Sequence, residues 1–275
     1  HLRQVNLLVG GNATGKTSVL AAITLLLGDG MALGNLPTAF RSSQSPASGG
    51  NRDDFENFWL WLFNDRSPTN QMLIASATED GDGVSLKSEA GSNSTPTSLV
   101  RFLPKGGQQR LITIQESRVD ISGHSSPSGW IVSRLSVRPS NPVEDAERYN
   151  QVALNADGEE KIQQVMHQIN PDVRRLRYAK LPGTSSPLVF VDIGLSRAIP
   201  APQMGQAFNR LLHIYTEILS AQTNVLLVDE IENGVFTSNL LPIWKGLLAV
   251  CEQEKVQAFA TTHSLECVRA ALAAA

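Results

Sequence analysis

Gly10, Gly11, Asn12, Ala13, Thr14, Gly15, Lys16 and Thr17 together fit the pattern G-x-x-x-x-G-K-[ST]. Such a segment captures anions. A glycine turn lets successive backbone N–H groups converge on a phosphate, and the positive end of a following helix reinforces them. Lys16 adds a formal charge aimed at the β and γ phosphates of a nucleoside triphosphate, Thr17 offers a hydroxyl to Mg²⁺, and Ser18 completes the nucleotide-binding set. A second pair, Asp229-Glu230, ends the apolar run Val225-Leu226-Leu227-Val228. An acidic residue there can hold Mg²⁺, often through water, so Asp229 joins Thr17 as an expected metal ligand. The next carboxylate, Glu230, can orient and deprotonate an attacking water. A third group, His263, follows the run Gln257-Ala258-Phe259-Ala260-Thr261-Thr262. A neutral imidazole there could bond a γ-phosphate or the attacking water and so sense the nucleotide.

These residues need elements to hold them. Val5-Leu7-Leu8-Val9 reads as a strand and Val19-Leu20-Ile23-Leu26 as one face of a helix, so the glycine loop sits between strand and helix as a phosphate loop requires. Residues 225–228 and 257–262 read as two further strands. In open α/β sheets ligands bind outside the carboxyl ends of the strands, which is where all three groups fall. The implied ligands are ATP and Mg²⁺.

The segments VNLLVGGNATGKTSVLAAI, PAPQMGQAFNRLLHIY at 200–215, VLLVDEIENGVF at 225–236 and FATTHS at 259–264 resemble the ATPase domain of the overcoming-lysogenisation-defect (OLD) family, a prokaryotic branch of ABC-like P-loop ATPases related to the SMC and RecF group. The resemblance implies an α/β, ABC-type P-loop ATPase sheet with flanking helices, and nucleotide sandwiched between two subunits. It also implies service in an anti-phage defence system, commonly beside a nuclease of TOPRIM or HNH type. Lys16 and Thr17 would take the Walker A roles, Asp229 the metal role, Glu230 the catalytic base and His263 the switch histidine. Ile231-Glu232-Asn233-Gly234, with Asn233 foremost, would lie in the D-loop region that touches the opposite subunit. The signature segment that reaches across to the partner's γ-phosphate usually has a serine and two glycines. Here it reads Pro202, Gln203, Met204, Gly205, Gln206, Ala207, with one glycine. Gly205 can still bring its backbone close to phosphate, and Gln203 or Gln206 can donate an amide hydrogen bond. Two alternatives stay open: a nucleotide-gated scaffold with negligible turnover, and a RecF-type DNA-repair ATPase.

Composition agrees with a globular domain, at 41% hydrophobic and 18% charged residues. A net charge of −3 gives no global argument for nucleic acid, and Arg174, Arg175, Arg177 and Lys180 read as a solvated face. Cys251 and Cys267 lie in apolar helical surroundings without metal-ligand spacing, as buried thiols in a reducing cytoplasm would. No apolar run is long enough to span a membrane. The chain opens at His1 within a strand, and the expectation is a fragment of a longer protein.

The expected organisation is one split ATPase domain, with 1–50 and 185–275 as nucleotide-binding core and 51–184 as an inserted β and helical subdomain. Residues 28–50 read as a flexible Gly/Ser/Pro-rich connection, and Asp53-Asp54 as the start of a short helix through Phe55, Phe58, Trp59 and Leu62. Met72-Leu73-Ile74, Leu111-Ile112-Ile114 and Trp130-Ile131-Val132, separated by turns such as GDG and KGG, suggest an antiparallel sheet. Residues 142–169 read as helix and 188–191 as a strand leading to the signature segment. Sustained heptads between Lys16 and Asp229 are lacking, which excludes the coiled-coil arms of an SMC-type protein.

Overall fold

The computed structural model describes residues 2–34, 36, 59–60, 62–63, 66–67, 69–76, 83–89, 97–103, 107–115, 118–122, 130–135, 141–220 and 222–275. The chain forms two compact units, His1–Lys16 with Ser133–Ala275, and Thr17–Val132.

The first unit is built on a four-stranded sheet in the order β1 (Val5–Val9), β12 (Gln257–Thr262), β11 (Val225–Val228), β7 (Val132–Leu135). The pairs β1/β12 and β12/β11 are parallel. Every residue of β11 is buried, as expected of a strand covered on both faces, which explains its unbroken apolar run. Helices α3 (Pro142–Ala153), α4 (Gly158–Ile169), α5 (Gln206–Ser220), α6 (Thr237–Glu254) and α7 (Leu265–Ala274) belong to this unit. A small antiparallel sheet joins them, with β9 (Leu188–Asp192) between β8 (Arg175–Ala179) and β10 (Ile199–Pro200). Local signals set the helix starts. Asn141 Oδ1 accepts from the Val143 N–H at 3.0 Å ahead of Pro142, with Glu144 and Asp145 in the first turn. Ser264 Oγ accepts from the Cys267 N–H at 3.2 Å and starts α7 just after the sheet edge.

The second unit holds α1 (Lys16–Leu27) from Thr17 on, α2 (Gly30–Gly34) and an antiparallel meander: β2 (Leu73–Ala75), β3 (Ser85–Glu89), β4 (Thr97–Leu103), β5 (Gly107–Gln115) and β6 (Arg118–Ile121). Leu25, Leu33, Trp59, Leu86, Leu99 and Ile112 form its core. Among the described residues of this unit, one charge lies inside. Arg101 on β4 is buried, and its Nη2 donates to the carbonyls of Leu25 at 2.7 Å and Gly28 at 2.8 Å, satisfying acceptors that the end of α1 leaves open. Burial pushes this guanidinium down to about 10, and Asp29 opposes the shift.

An antiparallel sheet is present, and the compact unit that holds it, Thr17–Val132, does not coincide with 51–184. Tyr149, Val152, Ile162 and Met166 of α3 and α4 are in the core of the first unit, so that helical stretch packs with the nucleotide-binding sheet. Ala21, Leu25 and Leu26 of α1 instead pack into the core of the second unit. Residues 142–169 form two helices rather than one, separated by Leu154–Asp157. Trp130-Ile131-Val132 leads into β7 of the parallel sheet, not into the meander. Of the expected connection 28–50, residues 30–34 are helical and 37–50 lie outside the described residues. Asp53, Asp54, Phe55, Phe58 and parts of the GDG and KGG turns also lie outside them, while Trp59 is helical and buried. Both cysteines are free and buried, and burial raises the Cys251 thiol to about 12.

Candidate nucleotide site

The register of the parallel sheet decides where the three motifs end. Val9 lies opposite Thr262 and Val228 opposite Ala260, so β1, β12 and β11 run out at one edge. The phosphate loop leaves β1 there, Asp229-Glu230 leave β11, and His263 leaves β12. The Gly10 N–H donates to the Thr262 carbonyl at 3.3 Å, tying the start of the loop to the strand that ends in His263.

The loop has the conformation its glycines require. Gly15 has φ 86° and Ala13 φ 60°, both left-handed. A Cβ on Gly10 would meet Thr14 Oγ1 at 2.7 Å, so the first glycine is needed for space. Thr14 Oγ1 donates to the Gly11 carbonyl at 3.0 Å and closes the turn. Lys16 Nζ donates to the carbonyls of Gly10 at 2.8 Å and Gly11 at 2.6 Å. Its charge thus stands over the loop on neutral acceptors, which a phosphate oxygen outcompetes because charge-assisted bonds are stronger. Gly11, Asn12, Ala13, Thr14, Gly15 and Ser18 are exposed. Thr17 and Ser18 open α1 and belong to the second unit.

Asp229 is buried, and its Oδ1 accepts from Thr261 Oγ1 at 2.7 Å. Thr261 Oγ1 in turn accepts from the Glu230 N–H at 2.8 Å, so one hydroxyl of β12 orders both acidic residues of β11's end. The main chain of Asp229 is held twice, its N–H donating to Leu135 O at 3.0 Å and its carbonyl accepting from Arg210 Nη2 at 3.0 Å. Arg134 and Arg210 are cations near this carboxylate. Burial pushes Arg134 down to about 10 and lowers Arg210, while Asp229 pulls on both and Glu232 on Arg210. Glu230 has φ 47°, a left-handed backbone unusual for glutamate, and such strain gathers at functional sites. Beyond the turn, Glu232 Oε1 accepts from the His263 N–H at 3.0 Å and lies 3.2 Å from His263 Nδ1.

The signature segment is a short 3₁₀ turn, Ala201–Met204, then Gly205 and α5. Gly205 has φ 93° and ψ 165°, a region open essentially to glycine alone. Its carbonyl accepts from Asn209 Nδ2 at 2.8 Å. Gln203 and Asn233 are exposed. Gln206 is exposed, and its side chain lies beside Gly234: a Cβ on Gly234 would lie 2.5 Å from Gln206 Oε1.

Sequence reasoning missed Thr261, Arg134 and Arg210, and placed Glu232 only within the D-loop region. The signal for Arg210 was a cation among Phe208, Leu211 and Leu212, all buried on α5. Thr261 is recognisable only from the β11/β12 pairing that places it beside the Asp229 turn.

Strand, phosphate loop and helix, with an Asp-Glu strand end on the same sheet edge, define an ABC-like P-loop ATPase domain, which supports ATP binding. The family model described as "AAA domain, putative AbiEii toxin, Type IV TA system" matches residues 5–269, and the chain belongs to that family. Comparison with curated proteins gives no match. Similar solved structures include the SMC head bound to the C-winged helix domain of ScpA, at 11% identity and TM-score 0.48 over 98% of this chain and 85% of that one. The SMC head domain from Thermotoga maritima is similar at 12% identity and TM-score 0.42, covering 98% of this chain and 84% of that one. The Smc head domain with an extended coiled coil bound to the C-terminal domain of ScpA, from Pyrococcus furiosus, is similar at 11% and 0.46, covering 98% and 86%. Among the described residues, no helix is long and apolar enough to cross a membrane.

Proposed function

We propose that the chain hydrolyses ATP with Mg²⁺ in a site shared between two copies, and that this cycle controls an effector, as in OLD-type ATPases of anti-phage defence. The observation that carries the reading is the sheet register, which ends β1, β12 and β11 at one edge with the phosphate loop, His263 and Asp229-Glu230. In this reading Gly10 to Ser18 bind the phosphates, with Lys16 moving from its loop carbonyls to the β and γ oxygens. Glu230 orients the attacking water and accepts its proton, and His263 senses the γ-phosphate or that water. The residues suit Mg²⁺: a hydroxyl and a carboxylate are hard oxygen donors, and Asp229 is already ordered through one oxygen by Thr261. The assignment of Thr17 and Asp229 to the metal rests on the two motifs. When bound, the ion neutralises charge developing on the transferring phosphoryl group. Gln203, Gly205 and Asn233 would face the partner copy, and the effector would be a nuclease of TOPRIM or HNH type on another chain or segment.

One observation favours a second reading, a nucleotide-gated scaffold with negligible turnover: the signature segment has a single glycine. ATP binding and phosphate release, measured on the wild type and on Lys16→Ala, separate the two. The proposal expects binding and turnover in the wild type and neither in a folded Lys16→Ala. Binding without turnover in the wild type favours the scaffold, and unchanged ATP affinity in Lys16→Ala refutes the site itself.

A further inference from the structure

Glu232 has no role in the reading above, yet its environment is costly. Its side chain is only 10% exposed, and Oε2 is buried with no hydrogen-bond partner among the described residues. Burying a carboxylate oxygen unpaired is unfavourable, so satisfying Glu232 does not explain the arrangement. What is satisfied is Oε1, and both groups it meets belong to His263: the main-chain N–H at 3.0 Å and ring Nδ1 at 3.2 Å. Behind it, the buried Arg210 of α5 attracts the carboxylate while donating to the Asp229 carbonyl, so Glu232 is held from the side of the Walker B strand.

An anionic oxygen at that distance repels the lone pair of a bare Nδ1 and favours a proton there, and which ring nitrogen carries the proton is set by what the other meets. Neutral imidazole free in water prefers the proton on Nε2. We infer that Glu232 is a positioning residue that fixes the ring orientation of His263 and holds its neutral form as the Nδ1–H tautomer, leaving Nε2 as an acceptor. Among the described residues Nε2 has no partner, and the His263 side chain is 44% exposed, so this nitrogen is open to a ligand. The consequence deepens the proposed function and rests on it. Neutral His263 then meets a proton donor, the attacking water, rather than the acceptor oxygens of the γ-phosphate.

The test is nitrogen NMR of the histidine rings in labelled protein at a pH where they are neutral, with His263 assigned by its loss in His263→Ala. The wild type is expected to carry Nδ1–H at His263, and Glu232→Ala to move toward Nε2–H. Glu232→Gln, whose Oε1 still accepts from the same two groups, is expected to keep Nδ1–H. In parallel, kcat is expected to fall by roughly 10- to 100-fold in Glu232→Ala, as when the partner that orients a functional imidazole is lost, with ATP affinity unchanged and recovery in Glu232→Gln. Nε2–H in the wild type overturns the inference. So does a Glu232→Ala protein that is less stable but has an unchanged tautomer, which is the result of a merely structural role. If Glu232→Ala does not fold, the wild-type and Glu232→Gln spectra decide. A wild type that hydrolyses no ATP sinks the proposed function, while the tautomer measurement still decides the role of Glu232.

Discussion

Thr261 shows how much one hydroxyl can hold. It donates to Asp229 and accepts from the Glu230 N–H, in a strand interior where no water competes. Thr261→Val keeps the shape and the β-branched preference for strand, but removes one hydrogen bond from the buried Asp229 carboxylate and one from the Glu230 N–H. The expected cost is about 1–3 kcal/mol of stability, read from the denaturant midpoint, together with a loss of turnover as Glu230 is released from its left-handed setting. Unchanged stability and turnover in Thr261→Val would show that the hydroxyl orders neither carboxylate. The same scale disposes of one tempting probe of the signature segment. Gly205→Glu adds charge, but its backbone region excludes side chains, so any defect would mix strain with electrostatics.

At the scale of elements, the sheet edge depends on how α5 and α6 pack behind it. Gly246 on α6 faces Tyr215 on α5 so closely that an added Cβ would sit 2.0 Å from the tyrosine oxygen. That hydroxyl is buried without a hydrogen-bond partner among the described residues, and burial raises its pKa. In an open helix Gly→Ala is stabilising; here Gly246→Ala is expected to cost about 1–3 kcal/mol through overpacking. Tyr215→Phe, which removes an unsatisfied polar atom, is expected to be close to neutral or stabilising. Combined with Gly246→Ala it should relieve much of the clash, giving a coupling energy of about 0.5 kcal/mol or more. Strict additivity would show that the two helices do not meet at this pair. What the sequence made legible follows the same physics. The β1, β11 and β12 strands and the start of α1 were readable because apolar runs and a glycine loop are local signals. β3 and β4 were not: Ser-Leu-Lys-Ser-Glu is mostly polar, and Arg101 interrupts β4 with a charge whose partners, the carbonyls of Leu25 and Gly28, are distant in sequence. The turn near Leu154 that splits α3 from α4 has no proline, and the burial of Tyr149 and Met166 with the parallel sheet is a tertiary fact that no local signal carries.

For the whole molecule, the fold and family establish an ABC-like P-loop ATPase domain, and the proposed catalytic cycle adds a partner copy and a defined base. Exposed Gln203 and Asn233, and a Gly205 with open space around its Cα, are groups that a second copy can approach. A shared site implies a two-fold contact in which each group appears twice. The central claim is that Glu230, set at φ 47° by Thr261 and the turn after β11, is the general base for hydrolysis. The most direct measurement is phosphate release at saturating ATP and Mg²⁺ by the wild type and by Glu230→Gln, with ATP binding checked in both. The prediction is a fall of roughly 10²- to 10⁴-fold, the usual contribution of a general base, with ATP still bound and the protein accumulating as a two-copy assembly. A folded Glu230→Gln protein that releases phosphate at the wild-type rate would contradict the assignment.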